Sequence, residues 1–104
     1  MVRGSEVFAG ITGFQWDKGN SDKSWLRHQV TQAEAEQVFF NRPLVVVPDP
    51  QHSSQEARHF VLGRSNEGRH LMIVFTRRGD LLRVVSARPM SRRERKAYAE
   101  AQST

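Results

Sequence analysis

The residues of this 104-residue chain that could do chemistry are its four histidines, thirteen arginines and a few acids. Cysteine is absent, which excludes disulfides, a thiol nucleophile and thiolate metal sites. Imidazole transfers protons near neutral pH, and a guanidinium can hold two phosphate oxygens at once. Such a set suffices to cleave RNA without a metal, because the 2′-hydroxyl of RNA is itself the nucleophile. The same set could bind intact nucleic acid, and composition does not separate the two functions.

His28 is the candidate for proton transfer, although its place beside Arg27 near a predicted helix end also suits a cation that stabilises the helix dipole. Asp49, His52 and Glu56 are close enough in sequence to suggest a metal site. One histidine and two acids in a loop are more often surface residues, so we expect neither metal nor cofactor. The chain lacks phosphate-loop, dinucleotide, hydrolase-elbow and metalloprotease motifs.

The positive charge is concentrated at the end of the chain. The formal net charge is +5, of which residues 83–104 contribute +4. A basic segment of this kind suggests a polyanion or an acidic partner, and a solvated helix is the alternative. No apolar run approaches the roughly 20 residues that span a bilayer, and residues 1–12 do not resemble a secretory signal. We therefore expect a cytoplasmic protein without membrane contact.

The first half of the chain is predicted to form a strand, two helices and a second strand. Alternate aromatic residues favour a strand at 14–16, and Asp17 resembles an N-cap for a helix to about Gln29. Thr31 and Glu34 form a capping-box pattern for a helix to about Asn41. A β-branched run at 44–47 then predicts a strand, which ends at a proline-rich turn.

The second half is predicted to be a meander followed by a helix. Strands at 59–64, 69–77 and 81–87 are separated by short turns, which favours antiparallel pairing. Ser91 and Glu94 form a second capping box for a helix to about Ala101. The order β-α-α-β-β-β-β-α indicates an α+β domain at 13–104, with helices on one face of an antiparallel sheet of four to five strands. Residues 1–12 are expected to be a loose extension.

Arg83 and Arg88 flank the apolar part of the last predicted strand. Their separation of five residues places them on opposite faces of a regular pleat. They can therefore serve one site only if the strand twists or ends before Arg88. Arg58 and Arg64 share a predicted face with apolar Phe60, so that face is mixed or the strand is irregular.

Several segments together resemble the BrnT family, in order from Phe14 to about Glu100. The specific part is the segment R-V-V-S-A-R at 83–88, followed by R-R-E-R at 92–95 and Tyr98. Supporting segments are F-Q-W-D at 14–17, H-Q-V-T at 28–31, D-P-Q-H-S at 49–53, E-A-R at 56–58 and G-R-S at 63–65. The resemblance covers nearly the whole chain.

The resemblance implies a ribonuclease toxin of a type II toxin–antitoxin pair with a RelE-like fold. Such a toxin cleaves RNA to arrest translation and is neutralised by a ribbon-helix-helix antitoxin, through which the complex binds operator DNA. Carried over by position, His28, Glu56, Arg83 and Arg88 are the expected catalytic residues. The expected RNA- and phosphate-binding residues are Arg58, Arg64 and Arg92.

The chain departs from the family pattern around His28. Asn20 stands where the family usually has Lys, and Ser24 stands where it has Asn. The family's K-H-G becomes Arg27-His28-Gln29, which removes a helix-ending glycine. These departures motivate an alternative: a catalytically weakened module that holds its antitoxin and co-represses the operon.

Overall fold

The computed structural model describes residues 7–52 and 56–102, and its elements follow the predicted order. Those elements are β1 (Gly13–Gln15), α1 (Lys23–His28), α2 (Gln32–Val38), β2 (Val45–Pro48), β3 (Arg58–Arg64), β4 (His70–Arg78), β5 (Leu81–Pro89) and α3 (Arg92–Gln102), with a 3₁₀ turn at Pro50–His52. The predicted α+β class is confirmed. No helix in this part of the chain is long and apolar enough to cross a bilayer.

The five strands form one mixed sheet in the order β1-β5-β4-β3-β2. Strands β2 to β5 are antiparallel, as their short turns predict. The expectation of a wholly antiparallel sheet is wrong for β1, which runs parallel to β5 with Gly13 opposite Leu81. No turn joins β1 to β5, so local sequence carries no signal for this pairing. Helices α1 and α2 lead the chain from one edge of the sheet to the other.

The first face of the sheet carries the main core and α2. Val38 of α2 packs in one cluster with Val61 and Phe75, and all three are fully buried. Phe8 joins this core, with its ring 5.8 Å from those of Phe39 and Phe75. The predicted loose extension is therefore packed from residue 7 onward, and its residues 1–6 lie outside the described part.

The second face carries α3, so the expectation that helices cover one face only is wrong. Tyr98 is 1% exposed and packs with Leu62 and Met72 on this face, and its hydroxyl donates to the Pro43 carbonyl at 2.7 Å. Because strand side chains alternate between faces, β3 and β4 present apolar residues on both sides. With α2 occupying the first face, α3 shields those on the second.

Helix boundaries follow the capping residues more closely than the periodicity. The Thr31 hydroxyl accepts from the Glu34 backbone N–H at 3.0 Å, which confirms Thr31 as the N-cap of the first capping box. The Glu34 carboxylate, predicted to bind the Thr31 backbone, accepts from Arg69 Nη1 at 2.9 Å instead. In the second, the Ser91 N–H donates to Glu94 Oε1 at 2.7 Å. Helix α1 begins at Lys23 rather than at Asp17, because residues 17–22 form a turn. Helix α2 ends at Val38, three residues earlier than predicted.

Candidate active site

A bulge in β5 brings Arg83 and Arg88 onto the same face of the sheet. Val74 of β4 pairs with Ser86, whereas the next residue, Phe75, pairs with Val84, so Val85 is an extra residue. One extra residue reverses the alternation of side chains along a strand. The two arginines therefore share a face because of an irregularity within the strand, which continues through Arg88 to Pro89.

Four polar side chains form a row across four adjacent strands on the second face. Thr76 of β4 pairs with Arg58 of β3 on one side and with Arg83 of β5 on the other, and Arg83 pairs in turn with Gln15 of β1. We call Gln15, Arg83, Thr76 and Arg58 the arginine row. Strands lie about 4.8 Å apart, so the row is about 14 Å long, which is long enough for more than one nucleotide.

Helix α3 does not reach the arginine row. Tyr98 packs over Leu62 and Met72, and the next pair of side chains, Phe60 and Val74, is only half-buried. The arginine row comes one pair further along the same face. The second face thus has a covered end beneath α3 and an opposite end, away from α3, that carries the row and that we call the open end. Thr76 at the middle of the row is 1% exposed.

Asp17 holds Arg83 at the open end. Asp17 Oδ2 lies 2.6 Å from Arg83 Nη1, and the Arg83 side chain is only 13% exposed whereas that of Asp17 is 47% exposed. The hydrogen bond from Arg83, with a further one from the Gly19 backbone N–H, lowers the pKa of Asp17. The carboxylate is therefore ionised at neutral pH.

Glu56 forms a second acid–arginine pair beside the row. Both of its carboxylate oxygens accept from Arg78, each at 3.2 Å. The pKa of Glu56 is lowered, chiefly by the hydrogen bond from Arg78, with smaller contributions from Thr76 and from the positive charge of Arg83. The Thr76 hydroxyl thus faces this carboxylate, although the two are not joined by a hydrogen bond of ordinary length. Glu56 therefore lies within electrostatic reach of Arg83.

Gln15 and Thr76 of the arginine row each have a buried polar atom that makes no hydrogen bond to the residues that the structure describes. These atoms are the side-chain oxygen of Gln15 and the hydroxyl oxygen of Thr76. Buried polar groups usually have partners in folded proteins, so exceptions call for an explanation. The two residues pair with Arg83 from the strands on either side of it.

The other predicted arginines lie towards the covered end. Arg88 donates to both carboxylate oxygens of Glu94, at 2.8 and 2.9 Å, and so fixes the start of α3 to β5. Arg64, which is exposed, donates to the Arg42 carbonyl at 3.1 Å. Arg92, the first residue of α3, is also exposed. The structure does not bring these three residues to the arginine row.

His28 also lies away from the row. Its carbonyl accepts from Arg69 Nη2 at 2.9 Å, and Arg69 immediately precedes β4. Thr76 is seven residues further along, a distance of about 24 Å in a strand. The structure therefore unites Glu56, Arg58 and Arg83 among the predicted site residues and leaves His28 near the opposite end of the sheet.

The departures around His28 occupy structural positions. Asn20 is 4% exposed, and its amide donates to the carbonyls of Gln15 and Val84. Ser24 accepts from the backbone N–H of Ala87 at 2.7 Å. Both contacts satisfy backbone groups on the edge of β5 that β1 does not cover. Gln29 ends α1 in the left-handed conformation, with φ 56°. Glycine adopts this conformation with less strain than other residues do.

Sequence reasoning missed four residues of this site: Gln15, Asp17, Thr76 and Arg78. Alternation along β4 would have placed Thr76 and Arg78 on one face with Met72, so that signal was available. Asp17 was interpreted as a helix cap, and nothing local to it indicates a contact with Arg83, which is 66 residues away. Residues 7–52 and 56–102 contain no group of three or more potential metal ligands.

The family comparison bears directly on this geometry. A family model described as "Ribonuclease toxin, BrnT, of type II toxin-antitoxin system" matches residues 16–94. The chain belongs to this family. As a BrnT-family member it is a type II toxin with ribonuclease activity and an antitoxin as its partner. The match includes Asp17, Glu56, Arg58 and Arg83. No curated protein matches the chain.

Proposed function

We propose that the open end of the second face is the ribonuclease site of this toxin. Arg83 and Arg58 would bind the scissile phosphate, and Glu56 would accept the proton of the 2′-hydroxyl. The observation that carries the proposal is the arginine row, which places two guanidinium groups on one face at the end away from α3, with the ionised carboxylate of Glu56 beside them. Phe60, half-buried beside the row, offers an apolar surface to a base.

The reaction we propose needs no metal. The 2′-oxygen attacks phosphorus as Glu56 takes its proton, and the pentavalent phosphate gains negative charge. Guanidinium groups fixed beside that charge stabilise it more than they stabilise the substrate. The bond to the 5′-oxygen then breaks, and water supplies the proton to that oxygen. The products are a 2′,3′-cyclic phosphate and a free 5′-hydroxyl.

The remaining predicted residues would contact RNA away from the cleaved bond. Arg64 and Arg92 are exposed at the covered end and are placed to attract flanking phosphates. Arg88 is held by Glu94 and would act mainly in the fold. In this proposal His28 takes no part in proton transfer, because it lies near the opposite end of β4 from the row.

We extend the proposal to the cell. RNA cleavage in the cytoplasm would arrest translation, and a ribbon-helix-helix antitoxin would neutralise the toxin and carry the complex to operator DNA. These expectations come from the BrnT resemblance of the sequence. Operator DNA should be retarded in a gel by the toxin–antitoxin complex and not by the toxin alone.

Expression of the chain alone in bacteria tests the function. We expect growth arrest with fragmented RNA for the wild type, and normal growth for Arg83→Ala at equal amounts of folded protein. Arg93→Ala on α3 is the matched control and should remain toxic. Normal growth and intact RNA with the wild type would instead favour the alternative of a module that only holds its antitoxin.

A further inference from the structure

We propose that Asp17 is a positioning residue that fixes the Arg83 guanidinium for catalysis. This inference rests on the proposed function, because it gives Arg83 its role at the phosphate. A free arginine side chain samples many rotamers, whereas transition-state stabilisation requires donors that are already in place. Asp17 supplies the missing constraint through its 2.6 Å contact with Arg83 Nη1.

Asp17 is itself held rigidly. Its Oδ1 accepts from the Gly19 N–H at 2.8 Å, and its own N–H donates to the Asn20 side-chain oxygen at 2.8 Å. The Asn20 amide in turn donates to the Val84 carbonyl, one residue beyond Arg83. The 17–20 turn is thus anchored to the same strand that carries Arg83. The Asp17 carboxylate and the Arg83 guanidinium are therefore both positioned by β5.

Gly19 closes the other side of the guanidinium. A Cβ atom at this position would come within 2.7 Å of Arg83 Nη2 and 3.2 Å of Asp17 Oδ1. Only glycine lets the turn approach the guanidinium so closely. The Asp17 carboxylate therefore binds one terminal nitrogen of Arg83, and the Gly19 backbone lies close to the other.

The Asp17 carboxylate is also expected to weaken the binding of RNA. Asp17 adds a negative charge beside the place where the phosphate would lie, so it opposes substrate association. Removing it should strengthen RNA binding while slowing the reaction. A residue that matters only for folding would not change binding and rate in opposite directions.

The experiment compares Asp17→Asn with Asp22→Asn, a control in the same turn whose side chain makes no capping hydrogen bond. The probes are a synthetic single-stranded RNA for cleavage and its fully 2′-O-methylated counterpart for binding. For Asp17→Asn we expect kcat to fall at least tenfold while the Kd for the methylated strand falls. Gly19→Ala, which displaces Arg83 without a change of charge, should lower kcat without tightening binding. Asp22→Asn should match the wild type in both.

Two further measurements separate this inference from the proposed function. Arg83→Ala must lower cleavage by about 10²–10³-fold if the site is correctly placed. Side-chain NMR of the arginines should show one guanidinium signal that is lost in Arg83→Ala and that moves to the position of a free arginine in Asp17→Asn. Wild-type cleavage by Asp17→Asn, or an unchanged Arg83 signal in that variant, would overturn the inference. Absence of cleavage in the wild type would refute the proposed function, and the NMR result would still decide whether Asp17 holds Arg83.

Discussion

The two ends of the second face are built from the same strands yet use arginine differently. At the covered end, Arg88 donates twice to Glu94, and Tyr98 is buried over apolar residues. At the open end, Arg83 makes one contact with Asp17 and faces Thr76 across the sheet. An arginine whose donors are saturated within the fold stabilises that fold, whereas one with donors left over can bind a ligand.

The bulge at Val85 is what makes this comparison possible. Without the extra residue, Arg88 would point into the first face, where Ala87 and Val84 pack in the main core. With it, one strand delivers Arg83 to the open end and Arg88 to the start of α3. A single irregularity thus links a structural ion pair with a candidate catalytic residue.

The largest effect is expected at Arg83. Arg83→Ala should lower RNA cleavage by about 10²–10³-fold, the range typical of removing one preorganised group that stabilises the transition state. The free energy of unfolding of this variant should change little, because water can solvate the Asp17 carboxylate that loses its partner. Cleavage assays and thermal unfolding on the same preparations measure both quantities. If Arg88→Ala loses as much cleavage activity as Arg83→Ala at equal folded concentration, the two ends do not differ in their use of arginine.

Glu56→Gln should have the next largest effect, about 10²-fold on cleavage, at the lower end of what general base catalysis contributes. The amide keeps the shape and can still accept from Arg78, so stability should be nearly unchanged. Glu67→Gln, an exposed acid in the turn between β3 and β4, is the matched control. Equal rates for the two variants would exclude Glu56 as the base.

The pH dependence sharpens the assignment to Glu56. Because the hydrogen bond from Arg78 lowers its pKa below 4.5, Glu56 stays ionised as the pH falls from 7 to about 5. Cleavage should therefore hold over that window and decline only at lower pH, as the carboxylate becomes protonated. A loss of activity centred near pH 6.5 would point to a histidine instead.

Much of the fold could be predicted from the sequence, but the composition of the site could not. Both capping boxes and the turns of the meander act over a few residues, so the order of elements followed from them. The parallel pairing of β1 with β5 and the contact of Asp17 with Arg83 join residues more than 60 positions apart. The bulge at Val85 contains no glycine or proline that would indicate it in the sequence. Alternation alone therefore predicted opposite faces for Arg83 and Arg88, and the bulge places them on the same face.

Tyr98→Phe tests the covered end and should cost about 1 kcal/mol of stability. The hydroxyl donates to the Pro43 carbonyl at 2.7 Å, and its loss leaves that acceptor without its partner while the ring still fills the core. Chemical denaturation measures the change, and Trp25→Phe, at a half-exposed position, serves as control. Cleavage per folded molecule should be unchanged. A large loss of cleavage would show that the two ends are not independent.

The smallest effect is expected at Gln29, and it has the opposite sign. An L-residue in the left-handed region is strained by roughly 1–2 kcal/mol, and glycine avoids that strain while losing more entropy on folding. Gln29→Gly should therefore stabilise the protein by about 0.5–1 kcal/mol, measured by denaturation, without altering the rate of cleavage. Val30→Gly, at the buried position next to it, should be strongly destabilising instead. If Gln29→Gly raised the cleavage rate, the end of α1 and the neighbouring His28 would belong to the site after all, and the open end would no longer account for catalysis alone.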